Sequence, residues 1–336
     1  MWMGVDDLRI EWNGGVRIEY KDAKVVLDSK RSSIEDSVFF VSHGHFDHSA
    51  AFRIKNAKKY SSKETLEIVS NFFSIKNSFS LSLKEKTTIG EVEVIPHNSG
   101  HVLGSFEYEV RAPEGIILYT GDFNTEKTKT MKPAEPVQCD VLIVEATFGS
   151  PSFVFPKVDE IGEDMAEWAG RVLKRGRIPL FRADPLGNAQ EIICIFNECD
   201  IPVIAHPRVA LMNMVYERHG FRLRYIDEQS SEAEEIKRHG GFIYVAPKNI
   251  KISDAGFEDA LVSGWALWSR RRGFPLSDHA DFHRIIRFVE ECDPKIVLTC
   301  HGGRFNETLA RYIEQKMHIK AYPIDLIPTK FRKEKP

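Results

Sequence analysis

The chain has 336 residues, 42% hydrophobic and 28% charged, with a net charge of −3. It is long enough to bury a sizeable core in one large domain or two ordinary ones, and its charge gives no global electrostatic case for a polyanion partner. No apolar run approaches the roughly 18 residues of a membrane helix, and the opening MWMGVDDLRIEW lacks the basic-then-apolar order of a signal peptide, so a cytoplasmic chain away from membranes is expected.

From the start to about residue 150 the signals are mostly strands. VRIEY, AKVVLD, SVFFVS, EVEVIPH, SFEYEVRA, GIILYTGD and DVLIVEAT are short, rich in Val, Ile, Tyr and Phe, and separated by Gly, Asn, Asp and Pro. VRIEY and EVEVI alternate as half-buried strands do, whereas VLIV reads as buried on both faces. Between them SKETLEIVSNFFSI has helical spacing behind a serine cap and predicts a helix. After FGSPSFVFP the texture changes. VDEIGEDMAEWAGRVLK, GNAQEIICIFNEC and ALMNMVYERHG read as helices alternating with the strands RIPLFRAD, PVIAHP and GFIYVAP, the pattern of a parallel α/β layer. Beyond Pro275, LSDHADFHRIIRFVEECDPKIVLTCHGG reads as a loop, a helix and a strand. The expected organisation is a strand-rich domain, 1–150 and 276–336, interrupted by an inserted α/β domain at 151–275. Basic residues gather at Arg53–Lys59, Ser269–Gly273 and the tail Lys330–Pro336. The first reads as a solvated face and the tail as a frayed end, while Arg270, Arg271 and Arg272 read as functional from their position.

VFFVSHGHFDHSA, Val38 to Ala50, holds three of the twelve histidines and an aspartate within six positions. A buried strand that runs out into a loop fixes the backbone while the loop turns several side chains inward. His43 and His45, two apart, can point the same way, and Asp47 and His48 fall in the following turn. The five cysteines are odd in number and form no Cys-x-x-Cys pair, which speaks against a disulfide framework or a thiolate zinc ribbon. A metal would therefore be held by imidazole and carboxylate, which suit zinc, manganese or iron. Further ligands must come from other strand ends: His101 in IPHNSGHVLGS, Asp122 in IILYTGDFN and His301 in KIVLTCHGG each follow an apolar strand beside glycine.

SHGHFDH, SGHVLGS, YTGDFN and LTCHGG resemble the ligand motifs of the metallo-β-lactamase fold. That resemblance implies an αββα sandwich, within the broader α/β (α+β) class, with two zinc ions at one edge and manganese as the alternative metal. His43, His45 and His101 would hold one ion, Asp47, His48 and His301 the other, and Asp122 would bridge. VLIVEATFGSP, GNAQEIICIF and PLSDHADF further resemble the β-CASP nucleases, with Glu145, His279 and His301 on the three extra motifs and 151–275 as a reduced β-CASP cap. VSGWALW…RRRGFPLSDHADF is similar to small prokaryotic proteins labelled mRNA 3′-end processing factor-like or ligase-associated exonucleases.

The reaction implied is phosphodiester hydrolysis, with cleavage of RNA in processing or decay ahead of other substrates. Paired metals stabilise the attacking and leaving oxygens at phosphorus and lower the pKa of a shared water. They supply no proton to the departing sugar oxygen; His279 is typed for that role, with Glu145 holding its ring and Asp47 completing the catalytic set. The plainer reading of His279 is a neighbour of a helix cap, and of Asp281 a first-turn acid on the helix dipole. Ser263 and Gly264 would present backbone donors to a phosphate, and Arg270 to Arg272 would line a strand's approach. Trp265 and Trp268 read as core, with base stacking as the alternative. Gln190 and Glu191 read as capping or packing the insertion's helix.

Several features depart from the β-CASP pattern. The insertion is shorter than in the large eukaryotic members, Asn188 stands where an Arg is common, and a KH domain before the first strand is not expected. The expected partner is single-stranded nucleic acid, RNA favoured by His301 over DNA, with no membrane and a homodimer left open. The competing readings are a single-stranded DNA exonuclease of repair, a thioesterase or lactonase of the same fold, and a non-cutting RNA-binding scaffold.

Overall fold

The computed structural model of the chain describes residues 8–30, 37–252 and 256–327; the basic tail lies outside them. The chain divides into two compact units, one of Met1–Glu126, Lys132–Ser152 and His279–Pro336, the other of Lys127–Met131 and Phe153–Asp278.

Two sheets build the first unit. In one, the antiparallel meander Leu8–Trp12, Val16–Tyr20 and Ala23–Leu27 is extended in parallel by Val38–Phe40, Lys58–Ser62 and Ser78–Leu81. In the other the order is Lys320–Pro323, Ile296–Cys300, Val141–Glu145, Gly115–Tyr119, Phe106–Ala112, Val92–Asn98 and Thr87–Ile89; the first four run parallel and the rest antiparallel. The alternation read in the sequence decides how they pack. Val25, Leu27 and Phe40 of one sheet meet Tyr108, Val110, Ile143 and Leu298 of the other in a shared core. The outer faces are apolar too and need covering. Helices Phe282–Cys292 and Arg304–Tyr312 lay Ile285, Phe288 and Leu309 on Leu142, Val144 and Val297, while Phe52 and Val69 cover Val26, Phe39 and Val41. The result is the expected αββα sandwich. Val141–Glu145 is buried throughout, as a central strand covered on both faces must be.

Two details differ from the sequence reading. The helix Lys63–Ser70 starts where Ser62 Oγ accepts the Thr65 N–H at 2.9 Å, but it stops at Asn71, short of the predicted end, because the Asn71 amide donates to the Glu67 carbonyl at 2.8 Å. And Lys59, read as part of a solvated face, is fully buried in Lys58–Ser62, its ammonium donating to the Ala57 carbonyl at 2.7 Å.

The second unit is one parallel sheet, ordered Ile226–Asp227, Val203–Ala205, Ile243–Pro247, Ile178–Ala183, Phe257–Val262 and Gly273–Phe274. Its helices include Val158–Lys174, which buries Ile161, Met165, Trp168, Ala169 and Val172 at helical spacing, and Asn188–Glu198. Lys127–Met131 joins this unit through Glu191, which accepts from Thr128 Oγ1 at 2.7 Å and from the backbone N–H groups of Lys129 and Thr130 at 2.9 and 2.8 Å. Gln190 accepts the Gly187 N–H at 2.8 Å and donates to Asn213 at 2.8 Å. Among the described residues no helix is long and apolar enough to cross a membrane.

Candidate metal centre

In the first unit the strands deliver their polar residues at their C-terminal ends. His43, His45, Asp47 and His48 follow Val38–Phe40, His101 follows Val92–Asn98, Asp122 follows Gly115–Tyr119, Glu145 ends Val141–Glu145, and His301 follows Ile296–Cys300. The turns that aim them are tight. Gly100 has φ +71°, and a Cβ there would lie 2.3 Å from the Asn124 carbonyl oxygen; a Cβ at Gly302 would lie 2.2 Å from that of Ala146.

His43, His45, His101 and Asp122 offer ligand atoms that all lie within 4.8 Å of one another. His101 Nε2 is 3.1 Å from His45 Nδ1, and Asp122 Oδ2 is 3.6 Å from His43 Nε2, 3.8 Å from His101 Nε2 and 3.3 Å from His48 Nε2. Asp122 thus reaches both ligand sets read in the sequence. The second set is looser. Asp47 is 63% exposed with its carboxylate 3.6 Å from His48 Nε2, and the His301 ring lies 4.7 Å from that of His48.

Asp28 organises these rings, and the sequence reading missed it. Its buried carboxylate accepts from Ser42 N–H at 2.7 Å, Ser42 Oγ at 2.6 Å, His48 Nδ1 at 2.8 Å and Tyr119 Oη at 2.9 Å. A hydroxyl has one proton to give. With that proton on Asp28, Ser42 Oγ accepts from His43 Nδ1 at 2.8 Å, and Tyr119 Oη accepts from His301 Nε2 at 2.9 Å. One carboxylate therefore holds the Nδ1 proton of His48 and, through the two hydroxyls, sets the tautomers of His43 and His301, leaving lone pairs on His43 Nε2 and His301 Nδ1. The available signal was local: Asp28 follows an apolar strand, as Asp122 does.

These residues fit a cation. Asp122 Oδ1 and His43 Nε2 are buried without a hydrogen-bond partner, an arrangement costing about 1–3 kcal/mol per group unless something else satisfies them. Burial, reinforced by neighbouring rings, drives His43 well below the ordinary histidine range and His301 down to about 3, and neutral imidazole is the form a metal takes. Burial opposes a charged His48, yet Asp122 and Asp28 hold its pKa up to about 9; burial pushes Asp122 up to about 6.

Beside this cluster sits His279. Its Nδ1 lies 2.9 and 3.0 Å from the two oxygens of Glu145, and its ring centroid 4.6 Å from that of His101. Burial works against the Glu145 carboxylate, but the His279 ring, Thr147 and the Phe123 N–H hold it below its ordinary range. Asp281 serves the helix as its N-cap and not as a first-turn acid, accepting the Arg284 N–H at 2.9 Å.

No family-wide sequence model matches the chain. It is 29% identical over 292 residues to a probable DNA ligase of Opitutus terrae, covering 80% of this chain and 27% of that protein. It is 28% identical over 192 residues to RNase aCSPSF2 of Saccharolobus solfataricus, covering 49% and 39%. The chain thus spans well under half the length of either relative. A crystal structure of a protein of unknown function from Enterococcus faecalis V583 matches at a TM-score of 0.65 over 94% of this chain and 97% of that one, with 14% identity, a likeness of fold. In sequence the chain is similar to β-CASP nucleases of the metallo-β-lactamase superfamily.

Against the β-CASP pattern, Asn188 opens the helix Asn188–Glu198 with Oδ1 buried and without a hydrogen-bond partner. In the same unit Ser263 and Gly264 are buried at the end of Phe257–Val262, and Arg270, Arg271 and Arg272 are exposed. Trp265 and Trp268 correct the sequence reading. They are 41% and 43% exposed, not core, because the 3₁₀ turn Gly264–Trp268 turns both outward over Phe153.

Proposed function

We propose that the chain is a metal-dependent phosphodiesterase that cuts single-stranded nucleic acid, with RNA ahead of DNA. The observation that carries this is His279, oriented by the buried Glu145 and standing beside a histidine–aspartate cluster whose donor atoms converge.

On this reading His43, His45 and His101 would hold one zinc, Asp47, His48 and His301 would hold a second, and Asp122 would contribute to both, with manganese able to replace zinc. Bound cations would supply Lewis acidity at the phosphate and acidify water. The rest is done by the chain. Asp47, at the exposed mouth, takes a proton from the attacking water. Glu145 holds the proton on His279 Nδ1, so the ring gives its other proton, from Nε2, to the departing sugar oxygen. Ser263, Gly264, Arg270, Arg271 and Arg272 meet backbone phosphates, and 151–275 serves as the β-CASP cap. A thioesterase would leave the His279–Glu145 pair without work, because a thiolate departs without the proton that a sugar oxygen needs, and a lactonase would leave the inserted 151–275 domain without work.

The name of RNase aCSPSF2 supports RNA. Similarity over 80% of the chain to part of a probable DNA ligase supports a second reading, a DNA strand as substrate. The deciding experiment incubates zinc-loaded protein with RNA and single-stranded DNA labelled at either end, and with a thioester. Ladders from RNA are expected. Activity on the thioester alone would end the proposal, and far fewer than two metal equivalents would return the scaffold reading.

A further inference from the structure

The second unit carries an exposed aromatic and cationic strip in one short segment. Trp265, Leu267 and Trp268 are 41%, 40% and 43% exposed. Their backbone is held. Leu261 N–H donates to the Arg272 carbonyl at 3.0 Å and Ser263 N–H to the Phe274 carbonyl at 3.1 Å, so the two ends of the turn are tied to each other. The rings rest on a fixed floor: buried Phe153 stacks on Trp268 at 4.4 Å and 29°, and meets Trp265 edge-on at 5.4 Å and 85°. The indoles are therefore pre-organised, with little rotamer freedom left to lose on binding.

Arginines in this unit usually find acids. Arg175 reaches Glu258 at 2.7 Å, Arg182 reaches Asp259 at 2.9 Å and Arg224 reaches Asp200 at 3.1 Å. Arg270, Arg271 and Arg272, all exposed, have no ion pair among the described residues; only Arg272 is engaged, over the Phe274 ring at 4.8 Å. Three adjacent uncompensated charges beside outward-facing indoles match a ligand that alternates flat rings with anions.

We infer that Phe153, Trp265, Trp268 and Arg270 to Arg272 form a sequence-tolerant platform for an unpaired nucleic-acid strand, its bases stacking on the indoles and its phosphates meeting the guanidinium groups. The inference rests on the proposed function and adds to it how the strand is held. An acidic peptide would use the arginines but leave the indole faces idle.

The test measures binding of fluorescein-labelled oligouridylate and oligothymidylate to the metal-free full chain by anisotropy. Trp265→Ala and Trp268→Ala are each expected to weaken binding about tenfold, with Trp→Phe at either position retaining most of the affinity. Joint Arg270→Gln, Arg271→Gln and Arg272→Gln should lower the salt dependence of log K by about two. Should a Trp→Ala variant fail to fold, the arginine variant, altered only at exposed groups, still decides. Unchanged affinity and salt slope would overturn the platform, and if zinc-loaded protein still cuts the strand, the nuclease reading survives without it. Binding that depends on these residues in a protein that cuts nothing would keep the platform and end the nuclease reading. Loss of self-association in sedimentation, with strand affinity unchanged, would assign the strip to a second copy of the chain and overturn the inference.

Discussion

His279 Nδ1 lies 2.9 Å from Glu145 Oε2 across 134 residues of sequence. Glu145 is itself held by the Phe123 N–H at 2.8 Å, so the ring orientation is fixed by backbone. His279→Ala should abolish strand cleavage by a factor of about 10²–10⁴ while zinc content, measured by mass spectrometry, stays near that of the wild type. Glu145→Gln should lower kcat by about 10–100-fold with little change in KM. Loss of zinc in the His279 variant would make it a ligand and not an acid.

Asp28 gathers four donors and orients three of the histidines proposed as metal ligands. Asp28→Ala should lower metal affinity by about 10–100-fold in a competition titration and cost about 3–5 kcal/mol of stability in denaturant melts, because His48 loses its buried partner. Wild-type metal affinity in this variant would show the rings to be held by packing alone.

Glu107 is fully buried with neither carboxylate oxygen hydrogen-bonded. Burial, with Glu135 and Glu109 nearby, raises its pKa well above the ordinary value. The folded chain then keeps a proton that the unfolded chain releases, so the contribution is full below the ordinary carboxylate pKa and is lost as pH rises towards the folded one, by up to about 1.4 kcal/mol per pH unit. Glu107→Gln should raise Tm at pH 8 more than at pH 5. An equal shift at both would refute the assignment.

Glu191 pins Lys127–Met131 into the second unit with bonds from Thr128, Lys129 and Thr130. Glu191→Ala leaves these donors unpaired, at about 1.5–3 kcal/mol, and should open the segment to trypsin at Lys127 and Lys129. Unchanged digestion would mean the segment is held elsewhere.

Much of the fold was legible because its signals are local. The helix Val158–Lys174 and the strand Val16–Tyr20 were read with the bounds they have, since each carries its own periodicity. Lys58–Ser62 was hidden by its lysines, and burial of Lys59 depends on carbonyls that only the folded turn brings to its ammonium. Trp265 and Trp268 misled for a related reason: spacing fixes which residues share a side of a turn, and not whether that side meets protein or water.

The motifs proposed to hold metal were written in the chain itself, because a strand, a glycine and a histidine or aspartate are consecutive residues, and strand ends on two packed sheets have few places to point. What tertiary structure alone decided is the proton arrangement around them. Tyr119 stands 91 residues from Asp28 and 182 from His301, so which ring nitrogen keeps its lone pair is set by hydrogen bonds that exist only after the two sheets have closed on each other.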